Sequence, residues 1–361
     1  MSRPAKAIID LAALRHNYQL AQSLAPNAKT LAVVKANAYG HGAVEAARAL
    51  EPLSPVLAVA CIEEAIELRA AGIRKPILLL EGAFEASELA TASTENFWLM
   101  VSGTEQVGML AEATLERPVT VWLKADSGMH RLGFIGAELR EAYERLQALE
   151  NVCDEITLAT HFSCADELER EVTLQQMDAF KAMTQGIEAP CSLANSAAIL
   201  GWPVAHSDYN RPGIMLYGSS PFAQSHPQAD KLQAVMSLIS TVIGLRTVEA
   251  GESVGYGGGW TAERRSVIAT IAMGYGDGYP RMMPSGTPVL VNGQRCSLAG
   301  RVSMDMVTVD VTDLESVQVG DGVEFWGRNL PLNEVASCAG TIGYELVTRM
   351  PLRTPRVYIN G

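Results

Sequence analysis

Leu31-Ala-Val-Val-Lys35-Ala-Asn-Ala-Tyr39-Gly-His-Gly42 sets an apolar run against a lysine and follows it with a glycine-containing turn. From residue 31 to about 217 the chain repeats one theme: an apolar run, a polar or glycine-rich turn, then an amphipathic segment. The runs cover residues 31–34, 56–60, 77–80, 98–101, 119–123, 156–160, 192–194 and roughly 209–216, eight in all. Between them lie helical candidates such as 62–71 and 138–149, with apolar residues at three- and four-residue spacing. Uninterrupted apolar strands alternating with helices indicate a parallel sheet buried on both faces. Eight such units suggest a (β/α)8 barrel of the TIM type. A doubly wound open sheet has the same alternation, and spacing alone leaves it open.

After about Ala234 the period changes. Met304-Asp-Met-Val-Thr-Val-Asp-Val311 largely alternates, and 289–298 is interrupted by Asn292-Gly293, a hairpin signal. Residues 267–273 and 323–326 resemble further strands, and short helices are expected at 332–339 and 344–350. A mainly β C-terminal domain is therefore expected over 232–361, behind a barrel over 1–231. Residues 1–10 are counted with the barrel but could pair with the second domain. The polar stretch 224–230 reads as the linker.

Composition narrows the function. Of 361 residues, 48% are apolar and 19% charged, which suits a soluble protein with a large core. A net charge of −12 without basic clusters argues against nucleic acid as a partner. The amino terminus lacks the apolar core of an export signal, and no stretch is long and apolar enough to span a membrane. The six cysteines are scattered without a CxxC pair, so reduced thiols and a cytoplasmic location are expected. No ligand-spaced set such as HExxH is present, and no metal is expected. The glycine-rich stretches 255–259 and 274–278 open no helix in a βαβ unit, which excludes a dinucleotide loop.

The informative residues stand where the apolar runs end: Lys35, Lys124, His161, Asn195-Ser196 and Arg211-Pro-Gly213. In a parallel barrel the carboxyl ends of the strands carry the active site, so these side chains would converge on one mouth. One lysine after a strand is usually a solvated strand end. Five polar ends in register are harder to explain that way. Desolvation lowers the pKa of an ammonium, which favours Schiff-base chemistry.

Seen with these ends, 34–42 resembles the cofactor-lysine motif of the alanine racemase family. Further matches follow in family order: Leu123-Lys124-Ala-Asp-Ser-Gly-Met-His-Arg131-Leu-Gly133, Thr160-His161-Phe, Arg211-Pro-Gly-Ile-Met-Leu-Tyr217-Gly218, Val254-Gly-Tyr256-Gly, Gly274-Tyr275-Gly-Asp-Gly-Tyr279, Gly300-Arg-Val-Ser-Met304-Asp305 and Ile342-Gly-Tyr344-Glu. The resemblance covers essentially the whole chain. It implies a racemase that interconverts L- and D-alanine by two-base proton transfer on the external aldimine of pyridoxal 5'-phosphate. Lys35 and Tyr256 would be the two bases, with Lys35 also carrying the cofactor. His161 and Arg211 would contact the cofactor and lower the pKa of Tyr256. Arg211, effectively always charged, would leave the ring nitrogen unprotonated and so suppress side reactions.

The resemblance further implies that Tyr39, Ser196, Gly213, Ile214 and Tyr344 meet the cofactor phosphate. Arg131 and Met304 would meet the substrate, with Lys124, Tyr275 and Asp305 in support. Relatives often carry a carbamylated lysine where Lys124 stands; the alternative for Lys124 is an ordinary ion pair with a nearby acid. Tyr256, Tyr275, Met304 and Asp305 would reach the barrel of a second subunit, so that a homodimer shares its sites. Three other functions stay open: a pyridoxal phosphate carrier without turnover, an amino-acid decarboxylase on the same two-domain plan, and a cofactor-free Schiff-base aldolase resting on Lys35 alone. The aldolase leaves the phosphate motif and the β domain unexplained. A carrier needs only the barrel. A decarboxylase would be expected to place a carboxylate at the ring nitrogen and a cysteine in the second domain, where this chain has Arg211 and Ser303-Met304-Asp305. Supply of D-alanine for the cell wall and its degradation for carbon both stay open as roles.

Overall fold

The computed structural model describes residues 3–361. The first strand, β1 (Lys6–Asp10), feeds a helix over Leu11–Leu24, whose first turn is capped by the Asp10 carboxylate accepting from the Ala12 and Ala13 amides at 2.9 and 3.2 Å. The barrel follows: β2 (Lys29–Thr30), β3 (Ala32–Val33), β4 (Leu57–Val59), β5 (Ile77–Leu79), β6 (Phe97–Val101), β7 (Val121–Lys124), β8 (Thr157–Ala159), β9 (Cys191–Ser192) and β10 (Tyr209–Asn210). Strands β3 to β9 pair in parallel in chain order. Consecutive order is what a barrel requires, and a doubly wound sheet would reverse direction part-way.

The ring closes through β10. It pairs in parallel with β2, and the Leu31 amide donates to the Asn210 carbonyl at 2.9 Å. On the other side the Arg211 amide donates to the Ala194 carbonyl at 2.9 Å, just past β9. Counting β2 and β3 as one interrupted strand, the barrel has eight. The last is shorter than the apolar run 209–216 suggests. Pro212 has no amide to donate, and after Gly213 the chain coils into a 3-10 turn over Ile214–Tyr217.

The C-terminal domain contains β11 (Met236–Val248), β12 (Ser253–Val254), β13 (Trp260–Thr261), β14 (Ser266–Ile271), β15 (Pro288–Val291), β16 (Gln294–Leu298), β17 (Val307–Asp310), β18 (Gly322–Trp326) and β19 (Arg356–Ile359). Its sheet runs β14-β17-β16-β15-β18-β11, and β11 returns to pair with β14, closing a ring of six. The 13-residue β11 serves both sides by a register shift between Val242 and Gly244. Asn292 and Gly293 both have positive φ, 49° and 77°, which gives β15–β16 the turn expected of an Asn-Gly hairpin. The alternating segment 304–311 is strand only over Val307–Asp310, because the Ser303 amide donates to the Met306 carbonyl at 3.0 Å and turns the chain first.

Two features join the domains. β1 lies in the C-terminal sheet, antiparallel to β11 and parallel to β19, although it precedes the barrel in sequence. In addition, the segment after Lys35 packs against the helix Gly343–Thr348 of the second domain. A Cβ on Gly40 would overlap the Val347 carbonyl oxygen, and Gly40 has φ +78°. Arg356 on β19 clasps the junction, donating to the carbonyls of Gly40, Pro351 and Met350 at 3.0, 2.8 and 2.8 Å.

Gly40→Ala is therefore expected to destabilise the protein by about 2–4 kcal/mol in urea titration, from the combined close contact and left-handed backbone. Gly108→Ala, in the helix Thr104–Glu112 with no atom within 4 Å of the added methyl, is expected to stabilise it by up to about 1 kcal/mol.

Candidate active site

Lys35 follows β3 by two residues and begins an unusual turn. Ala36, Asn37, Ala38 and Tyr39 have φ of 52°, 54°, 51° and 50°, a left-handed helical turn without glycine. Left-handed backbone costs L-residues roughly 1–2 kcal/mol each, so local bonds must hold the turn. The Ala38 amide donates to the Val34 carbonyl at 2.8 Å, Gly40 to Ala36 at 3.0 Å, and Ala43 to the Asn37 side chain at 2.8 Å. Fully buried His41 donates from Nδ1 to the carbonyls of Tyr39 and Ala38 at 2.8 and 3.1 Å. Since carbonyls only accept, Nδ1 carries the proton. The Tyr217 ring stacks on Tyr39 with centroids 4.8 Å apart and lies 4.6 Å from His41, while its hydroxyl donates to the Val33 carbonyl at 2.9 Å.

The turn places Lys35 at the wall of a cavity of about 640 Å³ at the carboxyl ends of the barrel strands. Lys35, Lys124, Arg131 and Arg211 line it, with Glu81 the one carboxylate among the lining residues. Four cations around one cavity in a chain of net charge −12 suit an anionic occupant. Burial lowers the pKa of the Lys35 ammonium, opposed by the nearby Glu81 carboxylate. Burial also brings Lys124 down to about 8. The Lys124 ammonium donates to the Leu132 carbonyl and makes no ion pair with an acid among the described residues. His161 is pushed down to about 3 by burial and by the Arg211 guanidinium, so its imidazole is neutral.

Arg211 is buried and fixed. Its Nη1 donates to the Ser192 carbonyl at 2.8 Å and to the Ser192 hydroxyl, and its Nη2 to the carbonyls of Thr160 and Leu193 at 2.6 and 3.2 Å. Nε–H has no acceptor among the described residues while Arg211 lines the cavity, so it is a donor kept for an occupant. Nearby, the Ser196 hydroxyl accepts from the amides of Gly213 and Met215 at 2.8 and 3.3 Å, leaving its own proton to donate. The Ile214 amide, first in its 3-10 turn, has no partner within the turn. A Cβ on Gly213 would collide with the Tyr39 hydroxyl, so only glycine lets these groups meet. Tyr344 completes this corner from the C-terminal domain, its ring 6.2 Å from that of Tyr39. Burial raises Tyr39 to about 12 and Tyr344 further, so both stay protonated donors.

Of the candidates from sequence, Lys35, Tyr39, Lys124, Arg131, His161, Ser196, Arg211, Gly213, Ile214 and Tyr344 line this cavity. Tyr256, Tyr275, Met304 and Asp305 do not. They lie in the C-terminal domain, with Tyr256 71% and Met304 52% exposed. Tyr275 and Met304 share one pair of loops, in which the Tyr275 amide donates to Ser303 and the Gly276 amide to Met304 at 3.0 and 2.9 Å. Fully buried Asp277 pins these loops, bound by Arg3 at 2.6 Å and Arg353 at 3.0 Å, while Arg353 also pairs with Asp305. Sequence reading did not single out Glu64, Glu81 or His41. His41 lies inside the quoted motif; the glutamates carried no signal.

Family models match both halves of the chain: "Alanine racemase, N-terminal domain" over residues 9–221 and "Alanine racemase, C-terminal domain" over 235–358. The chain belongs to the alanine racemase family. It is 53% identical over 357 residues to an alanine racemase of Pseudomonas taetrolens and, over the same length, to a catabolic alanine racemase of Pseudomonas putida, covering 99% of each chain in both cases. Its fold matches the biosynthetic alanine racemase structure from Pseudomonas aeruginosa with a TM-score of 0.96 at 51% identity, covering 99% of this chain and all of the other. The alanine racemase of Acinetobacter baumannii follows at 0.93 and 38%. Membership extends through the second domain, which a barrel-only carrier lacks.

The two desolvated imidazoles are expected to make this alanine racemase fold acid-sensitive. His41 is held at about 4 and His161 at about 3, against 6.5 in the unfolded chain. The unfolded chain takes up protons that the native state refuses, so stability falls as pH drops from about 6.5 towards 3. His41→Gln is expected to make that loss shallower by about one proton, measured as urea stability between pH 7 and 5.

Proposed function

We propose that the protein interconverts L- and D-alanine with pyridoxal 5'-phosphate as cofactor, as a cytoplasmic homodimer whose subunits complete each other's sites. The observation that carries this is the cavity itself: a half-buried lysine of lowered pKa, an anion-binding corner and a buried arginine with a spare N–H, all on one barrel mouth. Those groups fit the cofactor's aldehyde, phosphate and ring nitrogen in turn. Lys35 would hold the cofactor. Ser196, Tyr39, Tyr344 and the amides of Gly213 and Ile214 would hold its phosphate, all as donors. Arg211 offers only N–H, so a ring nitrogen facing it remains an acceptor. When bound, pyridoxal phosphate supplies a conjugated ring that withdraws electrons from the α-carbon.

Racemisation needs a proton removed on one face and returned on the other. Lys35 serves one face, the pKa of its ammonium lowered by burial. Tyr256 is the second base in this reading. It stands outside the cavity of its own chain on an exposed turn between β12 and β13, which fits delivery to a second subunit. Neutral His161 can accept a hydrogen bond from its phenol. Arg131, at the mouth, would take the substrate carboxylate with the main chain of Met304 from the second subunit. Tyr275 and Asp305, on the loops pinned through Asp277, would keep Met304 in position.

Purified protein given L-alanine in deuterium oxide is expected to produce D-alanine with α-deuterium, and Lys35→Ala to abolish both. A cofactor-loaded protein giving neither product nor exchange would instead support the carrier alternative. Lys35→Ala and Tyr256→Ala chains, each inactive alone, are expected to regain activity when co-assembled; no recovery would rule out shared sites.

A further inference from the structure

We infer that Glu64 is a positioning residue for Lys35, its carboxylate clamping the first amide of the left-handed turn to the neighbouring barrel strand. One oxygen, Oε1, accepts from the Ala36 amide at 2.6 Å; the other, Oε2, accepts from the Ala60 amide at 2.8 Å. Ala36 follows Lys35 directly, and Ala60 follows β4, which pairs with β3. The two amides belong to adjacent strand ends that share no backbone bond at this level, because the chain after Lys35 has already turned left-handed. Glu64 replaces the missing ladder bond with two charge-assisted ones.

A simpler role exists for a glutamate here. Glu64 lies in the first turn of the helix Ile62–Ala70, and an acceptor there commonly caps the helix by taking an amide just before it, as Oε2 does with Ala60. Capping explains one oxygen only. The shorter bond is the one that leaves the helix and reaches across to the residue beside Lys35. His41 holds the far end of the same turn through the Tyr39 and Ala38 carbonyls, so the turn is gripped at both ends, by an acceptor where amides point out and by a donor where carbonyls do. Both grips act through Lys35 and Tyr39 rather than on a ligand. The nearby Glu64 charge also favours the ammonium form of Lys35, though less than Glu81 does.

This inference rests on the reading that Lys35 carries pyridoxal phosphate, and its test separates the two. Full-length protein freed of cofactor is mixed with pyridoxal phosphate. The bond formed between the Lys35 amine and the cofactor aldehyde, with loss of water, is then trapped by borohydride, which reduces it to a stable amine. Labelled Lys35 is counted by mass spectrometry against time. Glu64→Ala is expected to slow labelling by about 10- to 100-fold and to lower kcat for alanine more than it raises KM. Glu64→Gln keeps one acceptor oxygen but turns an N–H towards the other amide, and should fall between it and the parent. It carries the test if Glu64→Ala fails to fold. Glu63→Ala, one residue away and exposed, should label at the parent rate. Glu64 variants that label and turn over like Glu63→Ala, or that lose only thermal stability, would reduce Glu64 to a helix cap and overturn the inference. Borohydride-stable incorporation of the cofactor into the Lys35→Ala protein at another residue, at the parent rate, would overturn the cofactor reading instead.

Discussion

Everything at the barrel mouth depends on four residues in left-handed backbone. A strand that continued past Lys35 in extended conformation would alternate its side chains across the barrel wall. The left-handed turn instead sends Lys35 to the cavity and brings Tyr39 back to the Ser196–Gly213 corner. Such a turn is unfavourable in isolation, and every group around it offsets that cost: the Asn37 side chain, the His41 imidazole, the Glu64 carboxylate and the stacked Tyr217 ring. Gly40 then lets the second domain approach within contact, and Arg356 ties the two together. The lysine's position is thus a property of both domains.

Electrostatics gives the same cavity its selectivity. The protein is acidic overall, yet the cavity at its barrel mouth gathers four cations. Arg211 tolerates burial because carbonyls and a hydroxyl satisfy its two terminal nitrogens, and burial brings it only to about 10, so it stays charged near neutrality. His161 beside it is neutral, first because burial disfavours its charged form and then because the Arg211 guanidinium opposes a second positive charge. A fixed cation next to a neutral imidazole is a suitable setting for a phenol that must give up its proton.

Much of this was legible in the sequence because β/α barrels put function where apolar runs end. Lys35, Lys124, His161, Ser196 and Arg211 could be found by that rule without knowing the family. The barrel's closure was legible only in part, since Pro212 and Gly213 end its last strand after two residues while the apolar pattern runs on. Ala-Asn-Ala-Tyr contains no glycine, so nothing local announces a left-handed turn; tertiary contacts impose it. Glu64 is hidden because first-turn glutamates usually have a helix to cap. The placement of β1 in the far domain, and the Arg3–Asp277–Arg353 cluster, join residues hundreds of positions apart and leave no periodic trace.

In the proposed reaction Lys35 works on one face of the substrate while a tyrosine from the other subunit works on the opposite face. The most direct test is α-deuterium exchange by the Tyr256→Phe protein, followed separately with L- and D-alanine in deuterium oxide. With one base left, the protein should exchange the α-hydrogen of a single enantiomer and form none of its mirror image. Exchange of both enantiomers at equal rates, or racemisation that survives the substitution, would contradict it.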